Sequence, residues 1–394
     1  MPSKKTTEPQ LPKGFSLYPR ANGQYAKKIR GKLHYFGVLS NPEAAWSKYL
    51  DERDDLQAGR TPKRTDDDRL TLVDLCDYFL ANKESRVKSG ELSNVMFHGY
   101  KRICLKLLAV FGKQQIVEEL RPADFERLRS RFAKGVGLVT LANRVQHARV
   151  IFNFASSEDL IDRPLKFGES FKKPKARLLR AERQSKPERM FEASEIRDLL
   201  ATAKQPLKAM VLLGINCGFG QMDCSRLRLK SLDLDGGWVS HPRSKTAIQR
   251  RCPLWPETVE SLREVIAKPR APHSDNLAGL IFITKKGSEF VRVTAKGTNI
   301  DGIAQEFGKI LRKLELAGSR RGFYSLRHSF ETIGGGSKDQ VAVDSIMGHA
   351  PPANDMSSVY RERVEDTRLL AVTNHIHAWL WPKPVKKASK KQAS

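Results

Sequence analysis

The 394-residue sequence has few cysteines: Cys76, Cys104, Cys217, Cys224 and Cys252, an odd number with no C-x-x-C pair. That excludes a disulfide framework and a cysteine zinc site, and leaves reduced core thiols as the expectation. Long apolar runs are missing too. The longest, near Ala209 to Ile215, falls far short of the ~18 to 20 residues of a membrane span. The stretch from Met1 to Gln10 is polar and basic, with no apolar segment of a secretory signal. A soluble protein without membrane partners is expected. The nine histidines are scattered, and His375 and His377, i and i+2 on an expected helix, diverge rather than converge on a metal. Neither G-x-x-x-x-G-K-[ST] nor G-x-S-x-G occurs, so nucleotide hydrolysis and serine-ester chemistry lack their signals. No metal or cofactor is implied.

Acid is also scarce. There are 44 Asp and Glu against 70 Lys and Arg, a formal charge of +26, far beyond what solubility requires. A polyanionic partner follows. The length suits two to four domains, and the pattern is mainly α with small β elements, an α+β class.

Residues 11–40 carry six basic residues and no acid, interleaved with Phe15, Tyr18, Tyr25, Tyr35 and Phe36. With Asn22-Gly23 and Gly31 as turns, they read as a small sheet with aromatics on one face and Lys27, Lys28, Arg30 and Lys32 on the other, a reader of duplex backbone. A helix at 42–56 completes a basic domain over 1–60. Helical periodicity then predicts four helices near 71–84, 94–111, 122–134 and 140–155, a DNA-binding domain spanning 71–161. In the last of them Leu141, Val145, Ala148, Phe152 and Ala155 share one face, and Arg144 points away from it. Residues 162–190 hold ten Lys or Arg, Lys172, Lys173 and Lys175 among them, against four acids, with prolines breaking periodicity. That reads as an interdomain linker touching phosphates. Residues 191–381 form a third domain, mostly helix with one small sheet, and 382–394 a basic tail.

Three segments of the third domain carry chemistry: Ser244-Lys245-Thr246 followed by Arg250-Arg251-Cys252-Pro253-Leu254; Tyr324-Ser325-Leu326-Arg327-His328-Ser329-Phe330; and Met347-Gly348-His349 with Tyr360 eleven residues on. Their order and spacing resemble the tyrosine recombinase (phage integrase) family, whose pattern includes a hairpin lysine, H-x-x-R-H-[ST]-F, L-G-H and a nucleophilic tyrosine. The likeness spans nearly the whole chain. It implies an arm-binding N-terminal sheet, a core-binding helical domain and a catalytic domain, acting on double-stranded DNA as a homotetramer in the cytoplasm, associated with the nucleoid. It further implies Tyr360 as nucleophile, Arg327 and His349 as stabilisers of phosphate charge, Lys245 as acid for the leaving oxygen, and Tyr324 at the rim.

Two positions depart from that pattern. In Cys217-Gly218-Phe219-Gly220-Gln221-Met222-Asp223, Gly220 stands where the family ordinarily carries arginine, as in T-G-L-R-x-x-E; and Tyr324 stands where it usually has histidine. Arg226 and Arg228 lie ~9 to 12 Å along a helix from Gly220, too far to replace that arginine. Arg243, two residues before Lys245 and so on the same strand face, is the expected substitute cation. Three readings stay open: a recombinase that cuts through Tyr360, an impaired relative that binds a DNA site in an architectural or regulatory role, and, third, a type IB topoisomerase-like relaxase, which an arm-like N-terminal sheet suits less well.

Overall fold

The structure is a computed structural model, and it describes residues 11–20, 22–59, 69–294, 297–318, 320–351 and 354–382. The basic tail and the first ten residues, with the expectations attached to them, lie outside these. The chain divides into two compact units. The first takes the residues up to Asn82 with Ile103–Lys134 and Arg144–Lys172; the second takes Lys83–Arg102, Gly135–Asn143 and the chain from Lys173 on.

The first unit opens with an antiparallel sheet of order β1-β2-β3 (Tyr18–Pro19, Gln24–Ile29, Lys32–Val38), followed by α1 (Pro42–Ala58). Arg30 and Gly31 both take positive φ, 49° and 84°. That is what a two-residue hairpin needs to match strand twist. Tyr25, Ile29 and Phe36 pack with Ala45, Tyr49 and Leu56 of α1 in a small core of their own. The expected division of aromatics from lysines does not hold. Lys27 faces the helix, its ammonium bonded to Ser16 Oγ and, at 2.8 Å, to Tyr49 Oη. On the open side Tyr18 and Tyr35 flank Ala26, and Lys28 pairs with Leu33. Strand alternation explains the mixing, because residues paired across strands share a face.

The helical region consists of α2 (Leu72–Lys88), α3 (Asn94–Phe111), α4 (Pro122–Ala133) and α5 (Leu138–Ser157), close to the predicted spans. Leu141, Val145, Ala148, Phe152 and Ala155 are all buried, as their spacing requires. Phe125 of α4 meets Phe152 edge-on, with ring centroids 5.3 Å apart. The segment read as an irregular linker contains a helix, α6 (Ala176–Gln184), with no buried residue. Its Glu182 accepts the free backbone N–H of Leu138 at the start of α5. Sequence periodicity missed α6 because a helix without an apolar stripe leaves no such signature.

From residue 191 the second unit has one core. Around it stand α7 (Ala193–Thr202), α8 (Leu207–Asn216), α9 (Gln221–Ser225), the sheet β4-β5-β6 (Leu232–Asp233, Trp238–Ser240, Arg251–Pro253), α10 (Pro256–Ala267) and the hairpin β7-β8 (Val291–Val293, Asn299–Asp301). Four helices close the fold: α11 (Gly302–Lys313), α12 (Ser325–Gly335), α13 (Gln340–Met347) and α15 (Asp366–Leu380), with the short α14 (Met356–Tyr360) before the last. α9, α14 and the β7-β8 hairpin carry too few residues for a periodic signal. Helix α8 is buried from Ala209 to Asn216. At its end the Asn216 side chain donates to Pro253 O and accepts from Trp255 N and Thr258 Oγ1, at 2.9 to 3.0 Å. That buried amide is thereby satisfied, and it fixes α8 to the exit of β6. All five cysteines are free and buried, and burial pushes the thiols of Cys217 and Cys224 well up from their ordinary range. They are packing groups, not nucleophiles. No helix among the described residues is long and apolar enough to cross a membrane.

Candidate active site

The site is assembled where three turns meet. The first follows α8, where the chain reverses at Gly218 (φ 62°) and a Cβ would lie 2.6 Å from Met347 Sδ. Only glycine fits both that backbone and that approach. The second turn ends α13 at Gly348, again left-handed (φ 64°), where a Cβ would meet Arg250 Cδ at 2.7 Å and Arg243 Cβ at 3.0 Å. The third joins β5 to β6 and carries Arg243, Lys245 and Arg250.

Arg327 ties the first two turns together. From α12 its guanidinium donates to Gly218 O at 2.5 Å and to Met347 O at 2.6 Å, and the residue is 3% exposed. Burial, and then the charge of Arg243, pull its pKa down to about 10. It stays charged at neutral pH. Such a buried guanidinium, bound to carbonyls rather than to a carboxylate, keeps its full charge for an anion.

His349 follows directly on Gly348. Its Nδ1 lies 3.0 Å from Asp344 Oδ1 and 3.8 Å from Glu331 Oε2. Gln340 Nε2 binds both carboxylates, at 2.9 and 3.1 Å. With a carboxylate as partner, Nδ1 carries the proton, and Nε2 remains for a substrate. The three ligand atoms of Glu331, Asp344 and His349 lie within 4.8 Å of one another, an arrangement already accounted for by this orientation of the imidazole.

The β5-β6 turn departs from expectation. Arg243 and Lys245 do not share a strand face, because residues 243–247 close a tight turn, with Ala247 N bonded to Arg243 O at 2.8 Å. Lys245 is exposed on this turn. Arg243 instead folds back to donate to Gly348 O at 3.1 Å, joined there by Thr246 Oγ1 at 3.2 Å. It reaches the site by the turn and not by strand parity. The residue to which the sequence motifs assigned no role is Arg250, 3% exposed. Its Nη2 meets Asp223 Oδ1 at 3.0 Å, its Nε donates to His241 O at 3.0 Å, and its guanidinium lies 4.4 Å from the Phe219 ring centre. Nη1 is enclosed without a partner. Strand parity held the signal, since Arg250 shares a face with the buried Cys252 two residues on. Arg243 and Arg250 both lie close enough to Arg327 to depress its pKa, and Asp223 pairs with Arg250. Of the three guanidiniums only that of Arg250 is bonded to a described carboxylate, so the local charge is positive.

Tyr324 stands at the rim, 44% exposed, at the start of α12. Tyr360, the last residue of α14, is 79% exposed and makes no hydrogen bond to a described residue. Arg327, Arg243, the 348–349 turn and Tyr324 are therefore drawn together, whereas Lys245 and Tyr360 reach outward into solvent. Of the residues expected to touch DNA elsewhere, Lys28, Arg30, Lys32, Lys173 and Lys175 are exposed, with Arg30 also donating to Gln57 O at 3.3 Å. Lys172 is exposed and paired to Glu169 at 2.7 Å. Arg144 is half-buried and donates to Phe132 O at 2.7 Å, a contact internal to its unit.

Residues 189–362 match the model of the phage integrase family, and every element of the site falls inside that span. The chain therefore carries a phage integrase, or tyrosine recombinase, domain over that span. Among solved structures, a Tn1549 transposon integrase in complex with a circular intermediate DNA is similar at 17% identity, covering 75% of this chain and all of that one, with a TM-score of 0.53. A lambda integrase dimer bound to a core site is similar at 16% identity over 91% of this chain and 99% of that one, with a TM-score of 0.54. A lambda integrase tetramer bound to a Holliday junction has the same coverage and TM-score at 15% identity. At these identities the likeness shows a shared fold. No curated protein matches the sequence.

Proposed function

We propose that the chain cleaves and rejoins double-stranded DNA at specific sites through Tyr360, working as a homotetramer on DNA. The carrying observation is the convergence of Arg243, Arg250 and Arg327 on the Met347–His349 turn, where Asp223 pairs with Arg250 and Asp344 orients His349. Tyr360 Oη attacks the scissile phosphorus and gives its proton to solvent. The bond to the 5′ oxygen breaks as the 3′-phosphotyrosine bond forms. Arg327 and Arg243 offset the charge on the non-bridging oxygens, His349 contributes through Nε2, and the Lys245 ammonium hands a proton to the departing 5′ oxygen. The 5′ hydroxyl of a second strand then attacks the phosphotyrosine, and Tyr360 leaves with a proton restored. The ester keeps the bond energy, so rejoining needs no nucleotide.

The exposed placement of Tyr360 fits a nucleophile that is brought to its phosphate by DNA and neighbouring protomers. The lambda integrase neighbour is itself a tetramer on a Holliday junction, which supports the tetrameric reading. The N-terminal sheet, with Lys28, Arg30 and Lys32 exposed, serves as an arm-type DNA reader over 1–60, and 71–161 as the core-binding domain. Lys173 and Lys175 track phosphates between them and the catalytic domain, over 162–190. The cellular place that follows is the cytoplasm, on the nucleoid.

The test starts from a random-sequence duplex pool, from which the target is selected by binding. The chain is then given that target with a nick just beyond the scissile phosphate, so that religation fails. Covalent protein–DNA adduct on a denaturing gel is the expected result. Tight binding with no adduct is the result of the impaired, architectural relative.

A further inference from the structure

Gly220 does not owe its place to backbone conformation. Its φ of −91° and ψ of 176° suit any residue. What confines it is the ring of Tyr324: a Cβ at 220 would lie 3.2 and 3.3 Å from two of its ring carbons, tighter than ordinary contact. Any longer side chain there grows into the phenol. The backbone N–H of Gly220 is held by Asp223 Oδ2 at 2.9 Å, so this turn cannot simply swing aside.

We infer that the two departures from the family pattern are one paired replacement: Tyr324 fills the volume an arginine at 220 would occupy, and its hydroxyl donates to the phosphate in that arginine's stead. Tyr324 lies one helical turn before Arg327, is close enough to act on its charge, and is half-exposed, and its hydroxyl bonds to no described residue. A phenol supplies a donor without charge. The charge at that point comes from Arg243 and Arg250, which approach the same loops from the β5-β6 turn. The donor half of this inference rests on the proposed strand cleavage; the pairing half rests on packing alone.

Two experiments on the full chain separate the halves. In thermal unfolding, Gly220→Arg in the parent is expected to lower Tm by several degrees, and in a Tyr324→His background to cost little. Equal losses in both backgrounds overturn the pairing. On the nicked duplex, Tyr324→Phe keeps the ring over Gly220, so Tm and DNA binding are expected to hold while adduct formation slows ~10²-fold, the usual effect of one lost donor. An unchanged rate overturns the donor role. A parent that forms no adduct removes the cleavage reading, and the donor role with it, while the Tm cycle still decides the pairing.

Discussion

Replacing Arg250 by methionine tests the frame of the site without any DNA. The Arg250–Asp223 pair is 3.0 Å apart, with side chains 1% and 10% exposed, so no solvent compensates either charge when the other is removed. Removing one partner of such a pair costs about 3 to 5 kcal/mol. Asp223 keeps one bond afterwards, from Gly220 N, which favours the lower half of that range. For a folding unit of this size, about 3 to 4 kcal/mol lowers Tm by ~6 to 16 °C. Asp223→Asn is expected to fall similarly, since it strands the guanidinium, and the double variant Arg250→Met/Asp223→Asn should lose clearly less than the sum. Circular dichroism melting of the purified chain reads all three. A shift under ~2 °C for Arg250→Met, or additive losses in the double variant, would refute the view that this pair is a desolvated unit under the Gly348 turn.

Other expectations follow from the same geometry. Arg327→Lys keeps a charge but loses the fork to Gly218 O and Met347 O; adduct formation should drop ~10² to 10³-fold, and a loss under threefold would count against Arg327 as a phosphate ligand. His241 is buried, with Nε2 unpartnered, and burial, then Arg250, hold its pKa down to about 4. The native state stays neutral there while the unfolded chain takes up a proton, so stability is lost as pH falls from about 6.5 toward 4, by about 3 kcal/mol. Melting across that window should show a flatter profile for His241→Gln, and an identical slope would exclude His241 as the source. Binding to the selected duplex should weaken steeply with salt through counterion release. Deleting residues 1–60 should flatten that slope, and an unaltered slope would mean the N-terminal sheet does not touch DNA.

How far the sequence spoke depends on whether the information was local. The α5 stripe of Leu141, Val145, Ala148, Phe152 and Ala155 was legible because one face of one helix carries it. Arg327 and Gly348-His349 were legible because each lies in a short motif. What escaped were relations between segments. The fold of Arg243 onto Gly348 O, the inward turn of Arg250 onto Asp223 and the contact of Tyr324 with Gly220 join residues 105, 27 and 104 positions apart. No periodicity records such contacts. α6 escaped for a different reason: Ala176–Gln184 buries nothing, and its arginines read as linker charge.

The most direct measurement of the central claim compares the parent with Tyr360→Phe on the selected nicked duplex. The parent should give an adduct that survives denaturant and vanishes with protease, with the DNA-linked peptide containing residue 360. Tyr360→Phe, at a position 79% exposed and without hydrogen bonds to described residues, should fold and bind as the parent does and give no adduct. Adduct persisting in Tyr360→Phe, or attached to a peptide without residue 360, would contradict the assignment of the nucleophile.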